Sequence, residues 1–148
     1  MSEWADFISF LSRLLKTLQG APKFNAIPHK LIVAKRLSQC LNPALPSGVH
    51  ARALDVYSHI FTVIGVDGLR RDLPVWTPGL LPFFQNAATS VRPALLDIFD
   101  RFYVPLNADL RPVTHALLLS LLPGLEEESS EFFDRVVRLL DQIAASVS

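Results

Sequence analysis

The sequence has too little cysteine for covalent cross-links or thiolate metal clusters. Cys40 is the only cysteine among 148 residues, so the chain forms no internal disulfide. This usage suits a reducing compartment such as the cytosol. The sequence also lacks an excess of charge of either sign, because fourteen basic residues balance fourteen acidic ones. A net charge of zero argues against a general nucleic-acid binder, which needs a basic excess to displace counterions from phosphates.

Long apolar runs are missing as well. The most apolar stretch, residues 116–125, is far shorter than the ~20 residues that a helix needs to cross a bilayer. The N-terminus lacks the basic start and the cleavage site that are typical of a secretory signal. We therefore expect a cytosolic protein that contacts membranes only peripherally.

Motifs that carry catalysis are also absent. The six glycines never approach the GxGxxG or GxxxxGK spacing, and neither a GxSxG elbow nor an HExxH helix occurs. The histidines at 29, 50, 59 and 115 are scattered, and Cys40 lies on an apolar face where nothing nearby in sequence lowers a thiol pKa. The acids at 126–128 are typical of a solvated loop before a helix. We predict no catalytic residue, no metal site and no cofactor.

The feature that dominates the sequence is helical periodicity. Apolar residues recur at spacings of three and four almost throughout, which predicts an all-α fold. Half of the residues are hydrophobic, enough for one core in a single domain over residues 1–148. Helices are predicted from Trp4 to Gly20, Pro28 to about Leu41, Gly48 to Ile64, Asp67 to Leu73, Thr77 to about Ala88, Ser90 to about Val104, Leu110 to Leu122, and from Ser129 or Ser130 onward. Leucines surround the Leu110 to Leu122 helix, so we expect it to be the central one.

A faint internal repeat indicates how these helices are arranged. Residues 49–57 align with residues 91–99, an offset of 42, and a third Leu-Asp pair at 140–141 follows the pair at 96–97 by 44. A period in the forties is typical of HEAT and armadillo arrays. The pattern predicts antiparallel helical hairpins stacked as a HEAT/armadillo-like α-solenoid segment.

Basic residues form the one candidate binding site. In the second helix, the residues predicted to face the core are Ile27, Leu31, Ala34, Leu37 and Leu41. Lys35 and Arg36 then flank an exposed Ile32. The candidate set for binding a lipid head group is Lys23, Lys30, Lys35, Arg36, Arg52 and Arg71. These cations form either an ordinary solvated helix face or a surface for an anionic ligand, such as a phosphoinositide head group or an acidic peptide.

Several segments resemble a known family. Residues 34–50, AKRLSQCLNPALPSGVH, closely resemble the N-terminal domain of the Dopey family, with two prolines and a glycine at fixed places. Further matches are the segments 2–6 (SEWAD), 61–65, 79–82 (GLLP), 86–91 and 122–127. The similarity extends over essentially the whole chain. It implies that these 148 residues are part of a much larger protein.

The resemblance also implies a function. Dopey proteins are large cytosolic scaffolds on Golgi and endosomal membranes that act in traffic between these compartments. The implied partners are a large scaffold related to the Sec-seven-type exchange factors, kinesin light chain and phosphatidylinositol 4-phosphate. We therefore expect a non-enzymatic adaptor domain in Golgi–endosome traffic. The alternative is a purely structural N-terminal cap of a long helical-repeat scaffold, without a ligand of its own; an enzyme comes third.

Overall fold

The longest helix, α3 (Ser47–Arg71), forms the centre of the fold. The computed structural model describes residues 4–20, 26–127 and 130–146, and every regular element within those ranges is helical. This confirms the predicted all-α class. Eleven residues of α3 are buried, including Tyr57, Ile60 and Phe61, whose side chains are at most 1% exposed. The remaining helices pack around these side chains.

Two helical pairs flank the N-terminal half. Helix α1 (Trp4–Gly20) packs against α3, and α2 (Lys30–Gln39) packs against α4 (Leu73–Leu80). The elements that follow in chain order are a 3₁₀ helix (Leu81–Asn86), α5 (Arg92–Ile98), a π-helical segment (Phe99–Tyr103), 3₁₀ turns (Val104–Leu110), α6 (Arg111–Leu121), a second 3₁₀ helix (Leu122–Leu125) and α7 (Phe133–Ser146). The last of these, α7, buries Val136, Leu139 and Ile143, as its amphipathic pattern predicted.

Residues with positive φ divide the helices at three places, Gly65, His29 and, within the 3₁₀ turns, Asn107. Gly65 has φ 69° and interrupts α3, so the predicted end of a helix at this glycine is confirmed. His29 has φ 54° immediately before α2. This turn breaks the helical phase between Ile27 and Leu31, which the sequence analysis had placed on one buried face. The prediction for Leu31 was also wrong: this residue lies about a quarter turn from the middle of the side formed by the buried Ala34 and Leu37, and it is 69% exposed.

The leucine-rich helix α6 is not central. Only Leu117 and Leu121 are buried on it, while Leu119 is 52% exposed and Leu122, just beyond it, is 48% exposed. Helix α6 rests with one side on α7 and on the 3₁₀ helix after α4. The prediction failed because a run of leucines shows that a helix is apolar but does not determine how many neighbouring helices pack against it.

Helix α4 begins earlier than predicted. It starts at Leu73, with Pro74 in its first turn, and Pro78 lies inside it. Thr77 is therefore not a helix cap. Its hydroxyl is buried and forms a 3.0 Å hydrogen bond with the hydroxyl of Tyr103. Burial raises the pKa of the Tyr103 hydroxyl, so this group stays neutral.

The internal repeat has a counterpart in burial. Val49, Ala53 and Leu54 are buried in α3, and the residues aligned with them, at 91, 95 and 96, are buried at α5. The aligned aspartates at 55 and 97 are both exposed. Helices α3 and α5, which carry these segments, also pack against each other. The solenoid arrangement itself is not confirmed and stays a prediction, as does the single-domain assignment.

Candidate functional site

The predicted basic residues do not form one cluster. Lys30, at the start of α2, directs its Nζ to Oδ1 of Asp72 at 2.9 Å. Arg71 binds the same carboxylate, with Nη2 3.2 Å from Oδ2 and Nε 3.4 Å from Oδ1. Two cations that the sequence analysis assigned to a lipid head group are thus paired with an acidic residue of the chain itself.

Asp72 gives this ion pair a structural role. Its side chain is only 6% exposed, at the junction of α3 and α4. Burial by itself raises the pKa of the carboxyl group, but the hydrogen bonds and charges of Arg71 and Lys30 outweigh this effect and hold the pKa below its usual value. The carboxylate therefore stays ionised and links the first residue of α2 to the end of α3.

Lys35 and Arg36 lie on the exposed side of α2, one turn after Leu31 and Ile32. Neither cation has a salt bridge to any residue within the described ranges. The guanidinium of Arg36 lies over the ring of Phe10, 5.0 Å from its centre, which connects α2 to α1. This contact orients the arginine, which remains exposed on the surface.

An open groove of about 420 Å³ runs beside this contact. Its walls are built by Phe10, Arg13, Leu14, Thr17, Ile32 and Arg36. Arg13 and Arg36 therefore supply cationic groups from two helices to one groove, while Phe10, Leu14 and Ile32 supply apolar surface. Arg13 was not among the predicted site residues. We call the exposed residues Arg13, Leu31, Ile32, Lys35 and Arg36 the α1–α2 face.

The other two predicted cations do not belong to this groove. Arg52 is exposed on α3 and lines a separate small cleft with Asp55 and residues of α1. Lys23 lies outside the described residues. Of the six predicted residues, the structure brings Lys35 and Arg36 together on the α1–α2 face and Lys30 and Arg71 together at Asp72.

A signal in the sequence identifies Arg13 in retrospect. No aspartate or glutamate occurs from residue 7 to residue 54, while seven lysines and arginines do. Since the whole chain is neutral, the remaining residues carry a net charge of −7. The net charge of zero for the whole chain therefore includes a strongly basic N-terminal third. This third contains α1 after its first turn, all of α2 and the start of α3.

One histidine, His50, and the cysteine are used in packing. His50 is 3% exposed, and its Nε2 lies 2.8 Å from the carbonyl oxygen of Asn42. Cys40 is completely buried, and this burial raises the pKa of its thiol to about 11, although the charge of Arg36 opposes the shift. Among the described residues, no three metal-ligating side chains form a group, and no helix is long and apolar enough to span a bilayer.

A family model and several known proteins are similar to this chain over nearly its whole length. The family model described as "Dopey, N-terminal" matches residues 1–148. The chain is 51% identical to the protein dop1 of Emericella nidulans over 145 residues, which is 97% of this chain and 8% of that protein. It is 47% identical to the protein DOP1B of Mus musculus over 99% of this chain and 6% of that protein. The protein DOP1 of Saccharomyces cerevisiae is 39% identical over 97% of this chain and 9% of its own length.

These relatives are much longer than the chain, which covers less than a tenth of each of the three. No solved structure matches. The family model extends over all 148 residues, and the resemblance of residues 34–50 noted above agrees with it. The chain belongs to the Dopey family.

Proposed function

We propose that this chain is a non-enzymatic adaptor domain of a membrane-traffic scaffold, and that its α1–α2 face binds an anionic phosphoinositide on the cytosolic side of a membrane. The observation that carries the proposal is the pairing of Lys35 and Arg36 on an exposed helix face, without a described salt bridge, in a segment that contains no acidic residue. Family membership supports the scaffold role.

The composition of the face suits a phosphate ligand. A phosphomonoester attracts several cations, and arginine offers it a forked pair of donors. Arg36 and Arg13 line the same groove, and Lys35 lies beside Arg36 on α2. Each cation near an anionic membrane contributes about 1 kcal/mol, so three together are sufficient for peripheral binding where one is not.

The wider cellular role follows from the family. By resemblance to Dopey proteins, we propose that the parent protein acts in traffic between Golgi and endosomal membranes. Phosphatidylinositol 4-phosphate is then the lipid, and kinesin light chain and a large Sec-seven-related scaffold are the protein partners. The alternative is a structural N-terminal cap without a ligand. It is favoured by the exposed Leu119 and Leu122 near the end of α6, which offer an apolar surface for further helices.

Liposome flotation tests the lipid-binding proposal. The variant Lys35→Glu with Arg36→Glu replaces two attractions by two repulsions, a change of roughly 4 kcal/mol at about 1 kcal/mol per charge. We expect it to abolish binding to phosphatidylcholine vesicles that contain phosphatidylinositol 4-phosphate, with an unchanged circular dichroism spectrum. Higher salt should weaken binding of the unmodified chain, since it shortens the screening length from about 10 Å at 0.1 M to about 3 Å at 1 M.

A matched control separates a specific surface from net charge. Arg101→Glu with Arg138→Glu makes the same change in charge at two exposed positions outside the basic segment. We expect this variant to bind much as the unmodified chain does. Equal losses in both variants, or undiminished binding by the folded Lys35–Arg36 variant, would contradict the proposed site. A complete lack of binding by the unmodified chain would favour the structural cap.

A further inference from the structure

The two most exposed large apolar side chains in the described part of the chain are adjacent. Leu31 is 69% exposed and Ile32 is 65% exposed, both in the first turn of α2. Exposed leucine or isoleucine is ordinary when single, but two neighbouring residues on a helix face that is otherwise cationic form an amphipathic surface. The packing of α2 does not require them, because Ala34 and Leu37 provide its buried side.

Their position relative to the cations follows from helix geometry. Lys35 and Arg36 are each four residues after Leu31 and Ile32, so the two pairs lie on one face, one above the other. Four residues correspond to a rise of about 6 Å along the axis. Arg36 remains close to α1 through Phe10, and Ile32 borders the same groove.

From this arrangement we infer that Leu31 and Ile32 insert into the interfacial region of an anionic bilayer, while Lys35, Arg36 and Arg13 bind lipid phosphates above them. With the start of α2 directed toward the bilayer, the rise of one helical turn places Leu31 and Ile32 about 6 Å deeper than the cations, a depth within the boundary between head groups and acyl chains. The inference rests on the proposed function. It adds a specific mode of binding: the start of α2 enters the membrane, and recognition is not purely electrostatic.

Charge complementarity favours a bilayer over a second copy of the chain. The helices that carry this face have no acidic residue after Asp6, and α2 has none. The salt bridge between Lys30 and Asp72 fixes the first turn of α2 to the body of the fold, so Leu31 and Ile32 are presented by a tethered helix. Two fixed apolar side chains beside several cations are complementary to a bilayer that has anionic head groups and an apolar interior.

Insertion can be measured by an environment-sensitive probe. The variant Leu31→Cys is labelled with a nitrobenzoxadiazole fluorophore; the native Cys40 is completely buried with a raised thiol pKa and does not compete for the reagent. A matched control carries the label at Leu119→Cys, on the exposed side of α6. We expect a blue shift and increased emission at position 31, and no change at 119, when phosphatidylcholine vesicles containing phosphatidylinositol 4-phosphate are added.

Binding of polar variants gives a second readout. Leu31→Ser with Ile32→Ser should lower partitioning onto the same vesicles roughly tenfold, because the apolar area that leaves water is lost. Leu119→Ser with Leu122→Ser, which removes a comparable exposed pair, should leave partitioning unchanged.

The outcomes distinguish this inference from the proposed function. Charge-dependent flotation without a fluorescence change at position 31 would overturn insertion and leave the proposed electrostatic site intact. The absence of flotation by the unmodified chain, together with the absence of a fluorescence change at position 31, would overturn both. A fluorescence change that depends on protein concentration and needs no vesicles would assign the face to contact between copies, and would also overturn insertion.

Discussion

Replacement of Asp72 by asparagine should reveal how firmly α2 is held to the rest of the fold. The buried carboxylate accepts hydrogen bonds from Lys30 and Arg71, and the shortest of these, from Nζ of Lys30, is 2.9 Å long. Asparagine keeps the shape of the side chain and removes its charge. A charge-assisted hydrogen bond contributes about 1.5–3 kcal/mol. The side chains of Lys30 and Arg71 are 39% and 56% exposed, so hydrogen bonds to water replace part of the interaction that each loses with the carboxylate.

From these opposing effects we expect Asp72→Asn to lower the free energy of unfolding at neutral pH by about 1–3 kcal/mol. For a chain of this size the melting temperature should fall by about 2–4 °C for each kcal/mol lost. The assay is chemical denaturation followed by circular dichroism. Asp55→Asn is the control, because Asp55 is 58% exposed and its closest partner, His59, is 4.0 Å away; its effect should stay below about 0.5 kcal/mol.

The difference should also depend on pH. The pKa of Asp72 is lowered in the folded state, so its contribution is present above the unfolded value of about 3.9 and is lost as the pH falls through the folded pKa. Asp72→Asn should therefore become as stable as the unmodified chain in acid. A loss below half a kcal/mol at neutral pH, or a loss that persists unchanged after the carboxyl group is protonated, would refute this reasoning.

Three further experiments test the packing. Gly79→Ala would place a Cβ atom 2.8 Å from Cβ of Ser38 on α2, so we expect urea denaturation to show a loss of about 1–3 kcal/mol. Gly48→Ala is the control: no atom lies within 4 Å of the added Cβ, so the free energy of unfolding should change by less than about 1 kcal/mol. Leu121→Ala should cost about 2–5 kcal/mol and Leu119→Ala less than about 0.5 kcal/mol; equal costs in thermal unfolding would contradict the orientation of α6. Cys40, with a thiol pKa of about 11, should resist alkylation in the folded chain and react only after unfolding; rapid native labelling detected by mass spectrometry would contradict its burial.

The sequence predicts the helical elements where one face alone is apolar. Helices α1 and α7 have such patterns; α1 has the predicted bounds, and α7 buries the predicted side but begins at Phe133, three or four residues after the predicted start. Gly65 also ends its helix as predicted, because only glycine adopts φ 69° without strain. These features are determined by neighbouring residues along the chain, so they require no knowledge of tertiary contacts.

Features that depend on tertiary contacts were missed. The left-handed backbone at His29, a residue that adopts it less readily than glycine, separates Ile27 from the helical phase of α2. Leu31 lies at the edge of the buried side of α2 and is 69% exposed. The burial of α3 in place of α6 depends on which helices surround it.

For the candidate site, the exposure of Lys35 and Arg36 followed from the helical wheel. The capture of Lys30 and Arg71 by Asp72 did not, because residues 30 and 72 meet only in the folded chain.

Amide hydrogen exchange, measured by mass spectrometry with and without vesicles, tests the central claim most directly because it locates the bound surface without substitutions. Phosphatidylcholine vesicles containing phosphatidylinositol 4-phosphate are compared with phosphatidylcholine alone. We expect slower exchange in α2 (Lys30–Gln39) and in the second half of α1, only with the anionic lipid, and no change in α6 (Arg111–Leu121). Slower exchange in α6 with none in α2 would contradict the claim that the α1–α2 face binds the membrane.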